Sequence, residues 1–388
     1  MRAPPLARLL LLRIAAAAAS RPEHHACPGS VALAGYGDVQ LVTTAWNVPG
    51  MRAGPVTMQD GAVTPWLKGR AYFADACGEG GVNSASDYLR LDLLGKTLRY
   101  TTDLAGAGCG CNAAVYLTAM SHSEERTDCD DFYCDANSVC GVPCSEIDIQ
   151  EANKYAWHTT LHSRSDKSGT GGGYGGGAGW NGPRDWASSQ YGPRGSCIDT
   201  DKPFEVATSF PVDAGGALQA MRTTLSQAGH GCTLDVSLNQ YAGMAELSAD
   251  LSAGMTPIIS YWASSDMLWM DGQGTDHQGP CAVDDVATCA ESVRFYNFSV
   301  APIGARVQDL IEKLEPDASA DAEAEVSHKA STTTASSEDA DAKEATDLAA
   351  AMKRAEAAER KREVERAQAA ERKRAAERKR AAERKRAA

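Results

Sequence analysis

Short apolar, β-branched or aromatic runs alternate with clusters of Gly, Pro, Asn and Asp from about Gly35 to Ile303. Leu91–Leu98, Ala113–Met120, Phe204–Phe210, Pro257–Trp262 and Val293–Val300 have the length and composition of strands. Long stretches of helical periodicity are missing between them. Many strands without intervening helices predict an all-β fold, an antiparallel β-sandwich of jelly-roll, concanavalin-like form. Gly169–Gly179 (GTGGGYGGGAG) reads as a flexible loop inside it.

The pattern stops after Gly304. Residues 306–349 read as an acidic low-complexity linker: Glu312–Asp347 holds 11 acidic and 3 basic residues among Ala, Ser and Thr, too polar to pack a core. Residues 350–388 are Ala/Glu/Arg/Lys text ending in AAERKR repeats, with high helix propensity. Six residues advance about 240° around a helix, so the alanine pairs never line one face and a coiled coil is not expected. The C-terminal region is thus expected to be a disordered or helical tail. It carries 15 Lys/Arg against 7 Asp/Glu in a chain whose net charge is −13. The body is acidic and the tail basic, and an anionic surface is the partner such a tail suits; the plainer reading is a solvated helix.

Composition narrows the class. Glycine (36) far exceeds phenylalanine (6), while Trp and Tyr reach 7 and 12, a balance that suits a loop-rich β protein with aromatic surfaces. Beyond the N-terminus no apolar run approaches the ~20 residues of a membrane span. Met1–Ser20, with Arg2 and Arg8 ahead of an apolar stretch and a small-residue Ala-Ala-Ser end, reads as a secretory signal, although Arg13 interrupts it. Residues 21–305 would then be the folded domain. All twelve cysteines lie downstream of the signal, and an even count in a secreted chain reads as disulfides. The competing reading is metal binding through Cys109-x-Cys111 or Cys140-x3-Cys144, but neither has a second pair at zinc-ribbon spacing. The pairing itself stays open.

The candidate chemistry is in Cys144-Ser-Glu146-Ile-Asp148-Ile-Gln150-Glu151-Ala-Asn153. Three acids alternate with Ile147 and Ile149, so the segment starts as a strand with Glu146 and Asp148 on one face. Glu151 has the wrong parity, which a bulge adding one residue near Gln150 would correct. Three carboxylates on one face cannot all stay ionised in a confined site, so one holds a proton beside an ionised partner. Glycoside hydrolysis needs such a pair, and neighbours on one strand can sit about 5–5.5 Å apart, the spacing of a retaining mechanism. An acidic surface strand or a calcium site is the alternative. Surface strands rarely place Ile-x-Ile between the acids, and calcium loops want Gly with Asn or Asp at alternate positions.

Glu146-x-Asp148-x-x-Glu151 resembles the signature of glycoside hydrolase family 7, the cellobiohydrolases and endoglucanases that cut β-1,4-glucan; the related family 16 glucanases share it. Other stretches favour family 7. Thr160-x-His162 is similar to its Thr-x-His, LLGKTLRYTTDL (Leu93–Leu104) with CGCNAAVYLTAM (Cys109–Met120) to its strand pair, and Tyr133-Cys134-Asp135 to its Tyr-Cys-Asp turn. Trp180–Arg184 (WNGPR), Tyr191-Gly-Pro193, Asp199-Thr200, Ser260-Tyr-Trp262, Met267-Leu-Trp269-Met-Asp271 and Phe295–Gly304 follow in family order.

The resemblance implies a jelly roll that hydrolyses cellulose or a related β-glucan by retaining double displacement, with no metal and no cofactor. Glu146 would be the nucleophile, Glu151 the general acid/base, and Asp148 the proton-sharing partner. His162 would lie near the acid/base, and Asn112 and Tyr116 beside the nucleophile among the substrate-binding residues. Arg184 and Tyr116 would bond sugar hydroxyls, and Trp262 and Trp269 would stack on glucose rings. Gln150 departs from the family, which usually has an aromatic before the acid/base. Only eleven residues separate Cys134 from Glu146, and the region after Trp269 is short, so an open cleft and internal cutting are expected. A secreted, extracellular or cell-wall endoglucanase is the reading adopted. An exo-acting cellobiohydrolase, a family 16-type β-1,3 or mixed-linkage glucanase, and a non-catalytic cellulose-binding wall protein are its rivals. Nucleic acid and a membrane span are not expected as partners.

Overall fold

A computed structural model describes residues 27–78, 84–166, 170–174, 186–272 and 281–305 of the 388. The chain divides into two units, Met1–Ala318 and Ser319–Ala388, and every described residue lies in the first. The signal at 1–20, the linker 306–349, the tail 350–388, the Trp180–Arg184 motif and most of the glycine-rich loop lie outside the described residues. No helix among the described residues is long and apolar enough to cross a membrane.

The described residues form the expected antiparallel β-sandwich. Its front sheet has eight strands, in the spatial order Ser30–Leu33, Gly37–Thr43, Gly69–Ala74, Thr256–Ala263, Cys111–Thr118, Glu146–Ala152, Trp157–His162 and Gly172–Tyr174. Its back sheet has seven: Leu234–Leu238, Met221–Ser226, Phe204–Ser209, Lys96–Asp103, Arg294–Pro302, Ala62–Pro65 and Val56–Gln59. Aromatic side chains fill the space between the sheets. Phe73 of the front sheet meets Phe298 of the back sheet edge to face at 5.4 Å, Tyr100 stacks on Phe298 at 5.9 Å, and Trp157 packs on Phe204 at 6.3 Å. Each fully buried side chain of this size contributes about 1.5–3 kcal/mol through area removed from water.

Four of the five strands expected from composition appear at nearly the expected positions; the fifth is displaced. Leu91–Leu98 is not one strand, because the ladder begins at Lys96. Leu91 makes only an isolated bridge to Met255, and the chain then turns. The Asp92 carboxylate accepts from the Leu94 N–H, and Gly95 adopts a positive φ of 71° that admits the turn. The sequence pattern also passed over a ten-residue helix, Met244–Ala253, which buries Leu247 and Leu251 and ends at Gly254. At this length its few apolar positions give little periodicity to read.

All twelve cysteines are in disulfides: Cys27–Cys77, Cys109–Cys281, Cys111–Cys289, Cys129–Cys140, Cys134–Cys144 and Cys197–Cys232. The Cys-x-Cys pair therefore feeds two separate bridges, which pin the Cys281–Cys289 segment beside the strand Cys111–Thr118. The two short bridges, Cys129–Cys140 and Cys134–Cys144, brace the loop that leads into the strand Glu146–Ala152.

Gln150 occupies a buried position between the sheets. Its carbonyl oxygen accepts from the Tyr100 hydroxyl at 3.1 Å, and its amide donates to Thr102 Oγ1 at 3.3 Å and to the Ala113 carbonyl at 3.0 Å. Polar burial costs little where each group is bonded, so a glutamine serves here where the resembling family has an aromatic. Gln150→Leu removes the glutamine's half of each of these bonds and strands the Tyr100 hydroxyl. Urea unfolding is expected to show a loss of about 2 kcal/mol.

Candidate active site

The strand Glu146–Ala152 carries one extra residue relative to both neighbours. Asp148 faces Tyr116 on one side and Thr160 on the other, whereas Glu151 faces Ala114 and His158. The register shift between Asp148 and Glu151 is the bulge expected from parity. Ile147, Ile149 and Gln150 turn to the interior, all fully buried. Glu146, Asp148 and Glu151 share the opposite face.

The neighbouring strand Trp157–His162 supplies an imidazole to each end of this cluster. His162 Nε2 lies 3.3 Å from Asp148 Oδ2, and His158 Nδ1 lies 3.2 Å from Glu151 Oε2. The expectation that His162 would sit beside the acid/base is thus corrected. Register pairs Glu146 with His162 and Glu151 with His158, so His162 reaches the Glu146 end of the cluster. Asn112 is corrected in the same way: it is fully buried, and its amide donates to Glu151 Oε1 at 3.0 Å rather than lying beside Glu146. It holds a carboxylate and presents nothing to a sugar. Tyr116 does lie near Glu146, opposite Asp148, but its hydroxyl is within 3.3 Å of the Tyr133 hydroxyl and its ring is buried.

Charge burial sets the protonation of the cluster. Burial pushes Glu146 well above the usual carboxylate range, and the Asp148 and Asp135 charges push it further; His162 and the Ala136 N–H, which donates to Glu146 Oε2 at 3.0 Å, pull it back. Asp148 is also raised well above its ordinary value by burial, then by the Glu151 and Asp135 charges. Two adjacent raised carboxyls share protons. Asp135, in the Tyr-Cys-Asp turn, is itself raised by burial while the Val139 N–H restrains it.

Arg70, which carries no sequence signal, and several residues of the quoted motifs complete the site. Arg70 is buried, with its guanidinium 3.8 Å from the centre of the Tyr133 ring and its Nε donating to the Tyr72 hydroxyl at 3.0 Å. Asn153 ends the carboxylate strand, where its amide donates to Asp271 Oδ2 at 2.7 Å. Asp271 also accepts from the Gly110 N–H at 2.9 Å, and burial raises its carboxyl to about 6. This anchors the short helix Leu268–Asp271, which carries Trp269. The Trp269 ring meets the His158 ring edge to face at 5.4 Å, and Trp262 pairs in register with Asn112. Both tryptophans are only partly buried, as sugar platforms would have to be. The Tyr191-Gly-Pro and Asp199-Thr200 motifs act as braces: the Tyr191 hydroxyl donates to the Asn153 carbonyl at 2.9 Å, and the Thr200 hydroxyl to the Lys154 carbonyl at 2.8 Å. Arg184 lies outside the described residues.

No protein-family model matches the chain. It is 29% identical over 236 residues to endoglucanase EG-1 of Hypocrea jecorina, covering 52% of this chain and 50% of that protein. It is 28% identical over 280 residues to the endo-beta-1,4-glucanase celB of Aspergillus oryzae, covering 58% and 65%. The chain thus spans about half the length of the first of these relatives. A family 7 cellobiohydrolase from Daphnia pulex superposes with a TM-score of 0.52 at 15% identity, over 72% of this chain and 97% of that one, which shows the shared fold. The chain resembles glycoside hydrolase family 7 in sequence and has its β-sandwich.

The raised carboxyls carry a stability consequence with a definite sign. The folded state binds protons that the unfolded chain has already released, so stability falls as pH rises toward the folded values. Glu146→Gln removes one such group and keeps an acceptor for the Ala136 N–H. Its Tm relative to the parent is expected to rise as the pH is taken from about 4 to about 8, as followed by calorimetry.

Proposed function

We propose that the chain is a secreted β-1,4-glucanase that cuts cellulose-type chains internally and with retention of configuration. The observation that carries this reading is the bulge that brings Glu146, Asp148 and Glu151 to one face while each end of the cluster meets its own imidazole. The names of the sequence relatives, both endoglucanases, support the reaction and its internal mode. Twelve cysteines in six bridges suit an oxidising compartment, as the signal-like N-terminus does.

In the first half of the reaction a Glu146 oxygen attacks the anomeric carbon as the bond to the leaving oxygen breaks, and Glu151 gives its proton to that oxygen. The product is a glycosyl ester on Glu146 and a free sugar end. In the second half Glu151, now a carboxylate, takes a proton from water as the water oxygen attacks the same carbon, and Glu146 is released. Asp148 keeps its proton throughout and so lets Glu146 remain a nucleophile beside it. Asn112 fixes one oxygen of Glu151. Trp262 and Trp269 offer apolar faces on which pyranose rings stack.

The test is viscosity loss and sugar release from carboxymethylcellulose by the parent, Glu146→Gln and Glu151→Gln. The parent is expected to lower viscosity rapidly, and each variant to lose about 100-fold to 10,000-fold in rate. Sugar release without early viscosity loss would replace internal cutting by action from chain ends. Cellulose binding with no release from any form would overturn the enzymatic reading.

A further inference from the structure

Asn297-Phe298-Ser299 is the one Asn-x-Ser/Thr sequence in the 388 residues, and it lies within the back-sheet strand Arg294–Pro302. Such a sequence is the acceptor signal for transfer of an oligosaccharide to asparagine in the secretory pathway. Its place in a central strand argues against its use. Side chains alternate along a strand, and Phe295 is fully buried between the sheets. Strict alternation from Phe295 would turn Asn297 inward too, where no glycan fits.

The strand does not keep that alternation. Tyr296 pairs with Thr101 and Ser299 with Arg99, so this strand holds one residue more than its neighbour between those pairs. The extra residue makes a bulge, and Asn297 sits in it with a φ of 58°. Asparagine is among the few side chains that adopt this left-handed region readily. Past the bulge Phe298 points inward, stacked on Tyr100 and edge to face with Phe73 of the front sheet. Asn297 is left exposed on the outer face, where its Nδ2 donates to Thr101 Oγ1 at 3.3 Å. Water competes with an exposed bond of this kind, so the amide is held only weakly. The surroundings are polar and open: Glu205 and Arg294 are exposed, and the Arg294 guanidinium lies 5.8 Å from the centre of the half-buried Tyr296 ring.

We propose that Asn297 is an N-glycosylation site, carrying an oligosaccharide on the outer face of the back sheet. The inference goes beyond the catalytic reading and rests only on the part of it that makes the chain secreted. In the transfer, Asn297 Nδ2 forms a bond to the anomeric carbon of an oligosaccharide carried on a polyisoprenyl pyrophosphate. The bond from that carbon to the pyrophosphate oxygen breaks, the lipid pyrophosphate leaves with the electron pair, and the amide gives up one proton to the transferase. Ser299 is 3% exposed in the folded chain, so its hydroxyl meets the transferase only before the sheet closes. The extended chain must be recognised and the folded chain must hold the glycan in water; the tripeptide meets the first demand and the bulge the second. Glu146, Asp148 and Glu151 emerge on the other side of the sandwich, opposite the buried Ile147, Ile149 and Gln150, so the glycan stands clear of them.

A purely conformational role, an asparagine suited to a left-handed bulge, would leave the amide unmodified. The experiment secretes the full chain from a eukaryotic host and maps its peptides by mass spectrometry, before and after peptide N-glycosidase in heavy-oxygen water. Position 297 is expected to be released as heavy-labelled aspartate, with the whole-chain mass falling by one oligosaccharide. Ser299→Ala leaves Asn297 in place and is expected to lose the oligosaccharide completely. An unmodified Asn297 in the secreted parent would overturn the proposal, as would an oligosaccharide that survives Ser299→Ala. The parent map needs no substitution and decides even where the variant folds poorly. Retention of the chain inside the cell counts against the secretory reading instead, and the same chain behind a leader of the host then decides glycosylation by itself.

Discussion

The Gln150 side chain reaches across the interior of the sandwich, accepting from Tyr100 of the back sheet and donating to Thr102 of the same strand and to the Ala113 carbonyl beside it. Those three bonds fix the extra residue of the strand Glu146–Ala152 in the core. Because Ile149 and Gln150 both point inward, Glu151 emerges on the same face as Glu146 and Asp148. A strand side chain has period two, so slipping this bulge by one residue would bury Glu151 beside Tyr100 and Thr102 and expose Gln150. The site exists because the core is paid, in hydrogen bonds, to accept a polar residue.

The acids then determine one another's state. Burial and mutual repulsion hold a proton on the Glu146–Asp148 pair, with the Ala136 N–H bonded to Glu146 and His162 in contact with Asp148. Glu151 is handled differently, clamped by Asn112 on one oxygen and His158 on the other. One strand, Trp157–His162, serves both ends, since His158, Thr160 and His162 share a face by simple alternation. The turn between the two strands is kept short by Asn153, whose side chain accepts from the Tyr155 and Ala156 N–H groups and donates to Asp271. The same asparagine therefore sets the register that pairs His158 with Glu151 and ties down the helix bearing Trp269.

Much of this was legible in the sequence, because it depends on local alternation. The acid–isoleucine pattern gave the strand face and required the bulge, and the even cysteine count gave disulfides without their pairing. What stayed hidden depends on register between strands. His162 was expected near Glu151 because it follows a family-like Thr, whereas antiparallel pairing through the Asn153 turn brings it opposite Glu146. His158 went unread for the same reason, although its alternation with Thr160 and His162 was a usable signal. Asn112 sits across a strand from Trp262 and was expected to meet sugar, yet its burial turns it toward Glu151. Arg70 comes from a distant segment and is recognisable only once the sheets are assembled, and Asp271, which closes the Met267–Asp271 motif, shows its role only through its bond to Asn153.

The proposed mechanism requires that Glu146 form a covalent bond to the sugar while Glu151 and Asp148 do not. The most direct measurement is to incubate the protein with an activated 2-deoxy-2-fluoro-cellobioside, which slows breakdown of the glycosyl ester, and to map the labelled peptide by mass spectrometry. A single fluorosugar adduct on the carboxyl of Glu146 is expected. An adduct on Asp148 or Glu151, or hydrolysis of natural substrate with inversion and no adduct at all, would contradict it.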